Sequence, residues 1–125
     1  MRSEINNAVP IYLKVAEKIE DAILSGAFLE ETQIPSTTEI SVHDKINPAT
    51  ALKGVNLLVE SEILYKKRGL GMFVAPGAVE KIKQRRKQEF SETYIRALIA
   101  EAQKLSLTRE DVISLIERGF EDENN

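Results

Sequence analysis

The sequence predicts a mainly α-helical fold with one small β-ribbon. Three observations carry this reading. Ile11, Val15, Ile19 and Ile23 recur every four residues, which places them on one side of a helix. From residue 63 the pattern changes to two short runs of strand composition around a glycine-containing turn. From Ala78 to about Leu105 neither Pro nor Gly interrupts a second stretch of helical spacing.

Taken in order, Pro10 opens the first helix and Gly26 stops it, so that helix covers about residues 10–25. Phe28-Leu29 and Thr32-Gln33-Ile34 suffice for a short strand ending at Pro35. Ser36-Thr37-Thr38-Glu39 has the form of a capping box, with Ser at the N-cap and Glu three positions on, so a second helix begins there. It is short, because Asn47-Pro48 signals another start. Asn suits an N-cap, and Pro suits the first helical position, where its missing N–H is not needed. The third helix then runs to about Ser61. Ala51, Val55, Leu58 and Val59 fall on one side of it, and Ala49, Thr50, Lys53, Asn56 and Glu60 on the other. Ile63-Leu64-Tyr65-Lys66-Lys67 and Met72-Phe73-Val74-Ala75 form a hairpin about Arg68-Gly69-Leu70-Gly71, with glycines where a positive φ is needed. The tail reads as a long helix and a short one joined at Ser106-Leu107. Thr108-Arg109-Glu110-Asp111 supplies a second capping box, and the acidic end at 121–125 is expected to fray.

The chain has 125 residues, a net charge of −3, one His and no Cys. That length fits one ordinary domain, or a compact unit with an appendage. The missing cysteines exclude disulfides, a thiolate nucleophile and a thiolate zinc site, and the single His excludes any site needing two imidazoles. Net acidity by itself argues against nucleic acid as a partner. Charge is unevenly distributed, however. Residues 1–42 carry −4, residues 43–74 carry +2 and residues 75–125 carry −1. The positive middle holds the third helix and the Lys66-Lys67-Arg68 ribbon, and the basic run Lys81-Ile82-Lys83-Gln84-Arg85-Arg86-Lys87 follows closely. Partners respond to such local fields rather than to the total. No apolar stretch approaches the ~20 residues of a membrane span, and no signal-peptide pattern opens the chain. A cytoplasmic protein without membrane contact is therefore expected.

Helix, short strand, helix, turn, helix and two-stranded ribbon is the order of a winged helix-turn-helix domain. Such a domain crosses the DNA backbone with its second helix, lays the third in the major groove and rests the ribbon along the phosphates. The expected division is a DNA-binding domain at residues 1–76 and a C-terminal helical hairpin for dimerisation at 77–125. Alone, that two-helix tail has too little to pack against, so Val79, Ile82, Phe90, Tyr94, Leu98, Ile113, Ile116 and Phe120 need a second copy of the chain.

Several short motifs, in order over residues 10–76, resemble the GntR family of bacterial transcription regulators. They are Pro10-Ile11-Tyr12 with Ile23 and Gly26, Ile34-Pro35-Ser36, Ile46-Asn47-Pro48-Ala49-Thr50, Leu58-Val59-Glu60 and Arg68-Gly69-Leu70-Gly71-Met72-Phe73-Val74. Asn-Pro-x-Thr at the third helix, with a tail of only about fifty residues, is similar to the YtrA-like subfamily. The resemblance implies a homodimer on a two-fold-related operator in double-stranded DNA, joined through the C-terminal helices and most simply acting as a repressor. By position it assigns DNA contacts to Ser36, Thr37 and Thr38 at the second helix. On the third helix it assigns Asn47, Pro48, Ala49, Thr50 and Lys53, and in the wing Lys67, Arg68, Gly69 and Gly71. Two positions depart from the family pattern, which often has Arg where this chain has Thr38 and Pro48. Losing a guanidinium removes a bidentate contact and shifts weight toward Lys53 and the wing.

Plainer readings stand beside these. Ser36 and Glu39 serve equally well as an ordinary cap, and Lys66-Lys67-Arg68 outside a hairpin would be a solvated basic turn. The 81–87 run is either a solvated helix start or a phosphate contact. His43 reads as a turn residue, and Glu110 and Asp111 lack the spacing of a calcium loop. Neither a metal nor a cofactor is expected. No catalytic motif occurs, and Gly69-x-Gly71 lacks the strand-then-helix setting of a dinucleotide loop, so no enzyme is expected. Alternatives to operator binding are a winged-helix protein-interaction module and an effector sensor. The tail is too small to enclose a ligand alone, so an unknown small-molecule effector would sit at the dimer interface.

Overall fold

The structure is a computed structural model that describes residues 9–124. Met1–Ala8, the start of the expected DNA-binding domain, and Asn125 lie outside the described residues. The chain divides into two compact units, Met1–Gln84 and Arg85–Asn125.

In the first unit, helix α1 spans Ile11–Ser25. It ends at Gly26, whose φ of 87° gives the left-handed cap that glycine adopts without strain. Helix α2 spans Thr37–Asp44 and starts in a complete capping box: Glu39 N donates to Ser36 Oγ at 3.1 Å and Ser36 N to Glu39 Oε1 at 3.1 Å. Helix α3 spans Pro48–Glu60, with the Asn47 carboxamide oxygen accepting from Ala49 N at 2.8 Å. Such side-chain caps contribute about 1 kcal/mol each. Strands β1 (Leu64–Lys67) and β2 (Gly71–Val74) pair antiparallel, Leu64 opposite Val74 and Lys67 opposite Gly71. The strand expected before Pro35 is reduced to a single bridge between Gln33 and Phe73, flanked by bonds from Ile34 N to Met72 O and from Val74 N to Thr32 O. With Pro35 and then a helix cap directly after it, that segment has no room to extend the ladder.

The core gathers Val15, Ile19 and Ile23 of α1, Val55 and Leu58 of α3, and Leu64 and Val74 of the ribbon. The apolar side expected for α3 is the buried one, and it also includes Gly54. Helix α4 spans Ala78–Glu89, and its first turns belong to this core: Ala78 and Ile82 are fully buried in it and Val79 packs against it. The expectation that placed Ile82 on a dimer face is therefore corrected, because its side chain is used within the unit. The core likewise runs past the boundary expected at residue 76.

In the second unit, residues Phe90–Ile95 form a wide π-helical turn, followed by α5 at Arg96–Lys104. Helical spacing alone gave no sign of that turn. Helix α6 spans Arg109–Asn124, sixteen residues where a short helix with a frayed acidic end was expected. Its capping box is present, with Thr108 N donating to Asp111 Oδ2 at 2.9 Å and Asp111 N to Thr108 Oγ1 at 3.1 Å. These bonds hold the Asp111 carboxyl below its usual pKa range. Ala102 is buried, whereas α6 buries none of its residues. Among the described residues no helix is long and apolar enough to cross a membrane.

Candidate nucleic-acid interface

The expected contact residues of α2, α3 and the ribbon all lie in the first unit. At α2, Ser36 and Thr38 are exposed and Thr37 is half-buried. The Ser36 hydroxyl accepts from the helix, and a hydroxyl that accepts can still donate its proton to a phosphate oxygen. The other end of α2 is tied to α1: Lys18 Nζ lies 2.9 Å and His43 Nδ1 2.8 Å from Asp44 Oδ1. Hydrogen bonding from His43, then from Lys18, lowers the Asp44 pKa. His43 is thus part of a helix-to-helix clamp rather than a lone turn residue.

Helix α3 packs against both α1 and α2 and turns Ala49, Lys53, Asn56 and Glu60 to solvent, with Thr50 half-buried. Asn47 and Pro48, both exposed, begin the helix as cap and first residue. The exposed side of α3 lines a shallow groove of about 430 Å³ together with Tyr12 of α1. Lys53 Nζ stands 4.1 Å from the centre of the Tyr12 ring, a cation–π contact. Helix α1 comes this close because Gly54 has no side chain. A Cβ there would lie 2.7 Å from the Tyr12 carbonyl oxygen and 3.0 Å from Val15 Cβ.

The wing turns through Arg68, Gly69 and Leu70, all exposed, with φ of 79° at Gly69 and 122° at Gly71. Both glycines therefore occupy the positive-φ conformations that the sequence anticipates. Gln33 reaches across from the segment before α2, and its Nε2 donates to the Leu70 carbonyl. A Cβ on Gly71 would lie 2.7 Å from that same nitrogen. On the ribbon face carrying residues 65, 67 and 73, the Tyr65 and Phe73 rings stack at 5.8 Å, and Lys67 Nζ lies 4.4 Å from the Phe73 centroid. The wing's shape is thereby set from outside the hairpin, and Lys67 is seated on an aromatic shelf.

Behind the wing, the Glu30 carboxylate accepts from Gly77 N at 2.8 Å and from Val79 N at 3.1 Å. It caps α4 from 47 residues away, and the two amides lower its pKa. Lys81 of the basic run reaches Glu62, 3.6 Å from its carboxylate and 3.4 Å from its carbonyl oxygen. Sequence reasoning missed Tyr12, Glu30, Gln33 and Gly54. Only Gly54 carried a local signal, as a glycine inside an otherwise good helix, a position that usually has a packing reason.

In the second unit, Phe90, Tyr94, Leu98, Ile113, Ile116 and Phe120 are exposed, as are Ile99, Leu105 and Leu115. Phe90 and Tyr94 meet each other across the π turn, ring centres 5.9 Å apart. A separate cleft of about 400 Å³ lies in the first unit, between α1 and α2, lined by Val15, Ile19, Phe28, Pro35 and Ile40 with Lys18 and Asp44 also in its wall. Among the described residues there is no cluster of three or more His, Asp or Glu able to hold a metal.

No protein-family model matches the sequence. An uncharacterized HTH-type transcriptional regulator of Bacillus subtilis, YhcF, is 26% identical over 115 residues, 90% of this chain and 92% of that protein. The DNA-binding domain of AraR, solved in complex with operator ORX1, covers 56% of this chain and 84% of its own at 31% identity, with a TM-score of 0.53. A solved structure from Bacteroides thetaiotaomicron, assigned to the GntR family of transcriptional regulators, superimposes with a TM-score of 0.78 and 33% identity. Since that likeness extends over 93% of this chain and 100% of the Bacteroides one, the protein belongs to the GntR family of transcriptional regulators.

Proposed function

We propose that this regulator is a cytoplasmic repressor of the YtrA-like type, working as a homodimer on a two-fold-related operator rather than as an enzyme. The observation that carries the proposal is the exposed side of α3. It presents Ala49, Lys53 and Asn56 to solvent, in the same unit as a wing whose exposed tip is Arg68 and Gly69. At the start of α3, the Asn47 amide and the small Ala49 admit the major groove and read base edges, while Lys53, Lys67 and Arg68 supply phosphate contacts. The AraR DNA-binding domain, solved in complex with an operator and covering 56% of this chain, supports double-stranded DNA as the partner. In this reading the winged unit binds DNA. The second unit, Arg85–Asn125, dimerises, because Phe90, Tyr94, Leu98, Ile113, Ile116 and Phe120 are exposed apolar side chains in a unit with little core of its own.

The test is selection from a random-sequence duplex pool by the full chain, followed by titration of the enriched duplex at several salt concentrations. One or a few related, two-fold-symmetric sequences should emerge, and log K should fall steeply with log salt as counterions are released. Lys67→Ala and Arg68→Ala should weaken every sequence alike and reduce the slope by about one each. Enrichment of no sequence would favour a protein-interaction module, and a flat salt dependence would remove the wing from the interface.

A further inference from the structure

Tyr12 is not among the contact positions that the resemblance assigns, although it lies in the Pro10-Ile11-Tyr12 motif. In the structure it is half-buried on α1 and stands under Lys53 Nζ at 4.1 Å. Two independent features place it there. Gly54 lets α1 and α3 approach until a Cβ would overlap the Tyr12 carbonyl oxygen at 2.7 Å. Lys53, one residue earlier and therefore turned by about 100° around the helix, is carried out of that contact toward solvent beside the ring. The groove along exposed α3 includes Tyr12 with Ala49, Leu52, Lys53 and Asn56.

We propose that Tyr12 is a positioning residue for DNA binding: its ring holds the Lys53 ammonium at the edge of the α3 groove before DNA arrives. The inference rests on the reading of α3 as the helix that faces DNA. A lysine on four flexible carbons samples many rotamers and loses that freedom on meeting a phosphate, so a preset ammonium has less to lose. An aromatic face suits this task better than a carboxylate would. It attracts the cation through the ring quadrupole yet leaves the full positive charge for the phosphate.

The experiment compares the wild-type full chain with Tyr12→Leu, Tyr12→Phe, Lys53→Ala and the Tyr12→Leu/Lys53→Ala double variant. The probe is the duplex that the wild-type chain enriches from a random pool. Tyr12→Leu should weaken binding by about two- to fivefold. Tyr12→Phe, which keeps the ring face, should bind as wild type, and the double variant should be no weaker than Lys53→Ala alone. In the free protein, NMR should show ring-current-shifted Lys53 ε protons in wild type and Tyr12→Phe, relaxed to ordinary lysine positions in Tyr12→Leu. Unshifted ε protons in wild type would overturn the inference whatever the DNA result. So would additive losses in the double variant, or full affinity in Tyr12→Leu while Lys53→Ala is impaired. Shifted protons with wild-type affinity in Lys53→Ala would instead overturn the DNA role of Lys53, and the positioning role with it. Thermal melts of each variant separate any unfolded chain from one that is folded and weak. Should Tyr12→Leu not fold, Tyr12→Met takes its place in the same comparison.

Discussion

Gly54 sets the distance between α1 and α3. A methyl group there meets the Tyr12 carbonyl oxygen at 2.7 Å and Val15 Cβ and Cγ1 at 3.0 Å, and the first of these is backbone that cannot swing aside. Gly54→Ala should therefore destabilise the winged unit by about 1–3 kcal/mol, despite alanine's better helix propensity, because overpacking outweighs the ~1 kcal/mol gained from propensity. Urea unfolding measures this as a lower midpoint at unchanged slope, and a midpoint equal to or above wild type would show that the helices can separate at no cost. Ala51, Val55 and Leu58 were legible as the buried side of α3 because helical spacing alone assigns them. Why Gly54 is glycine was not legible, since the reason lies on a helix some forty residues earlier in the chain.

At the level of elements, the three helices and the ribbon were readable because their ends are marked locally. Gly26 stops α1, the Ser36–Glu39 box starts α2, Asn47-Pro48 starts α3, and Gly69 and Gly71 turn the wing. What was illegible joins distant residues: Gln33 to Leu70 across 37 positions, and Glu30 to Gly77 across 47. The π turn at 90–95 was hidden for another reason, since its residues keep helical spacing and differ only in how the backbone bonds close. Glu30 acts on a whole element, because its carboxylate satisfies two of the amides that a helix start leaves unpaired. Glu30→Gln keeps one acceptor oxygen and loses the charge, so amide exchange at Gly77 and Val79 should accelerate while exchange at Ile23 and Leu58 stays slow. The pH dependence follows from the direction of the shift. The Glu30 pKa is lowered below the ordinary 4.5 in the folded chain, so its contribution is complete above that value and is lost as pH falls through the folded one. Wild-type exchange at the two amides, corrected for its intrinsic rate, should approach that of Glu30→Gln in acid. Equal protection in both proteins at neutral pH would exclude the cap.

For the molecule as a whole, the decisive imbalance is between a winged unit with a dense core and a tail whose last helix buries none of its residues. Ile116 and Phe120, 42% and 69% exposed, are two of the apolar side chains that the proposed dimer would cover. Ile116→Glu and Phe120→Glu should shift the sedimentation of the chain toward monomer, raising the dimer dissociation constant by at least about tenfold if either is an energetic centre of the interface. The unfolding of the winged unit should change by less than about 0.5 kcal/mol, since neither residue contributes to its core. Unchanged sedimentation of both variants would move dimerisation away from α6.

The burial of Ala78 and Ile82 also dictates where such a molecule can be cut and rejoined. Severed just after the wing, the head would lose Ile82 from its core, and Glu30 would lose its Val79 amide. Severed after Gln84, it retains both. An exchange of tails between relatives, in a gene or at the bench, therefore leaves the head intact only if the joint falls about two turns into α4. The unit of inheritance is the wing together with the first stretch of the helix behind it.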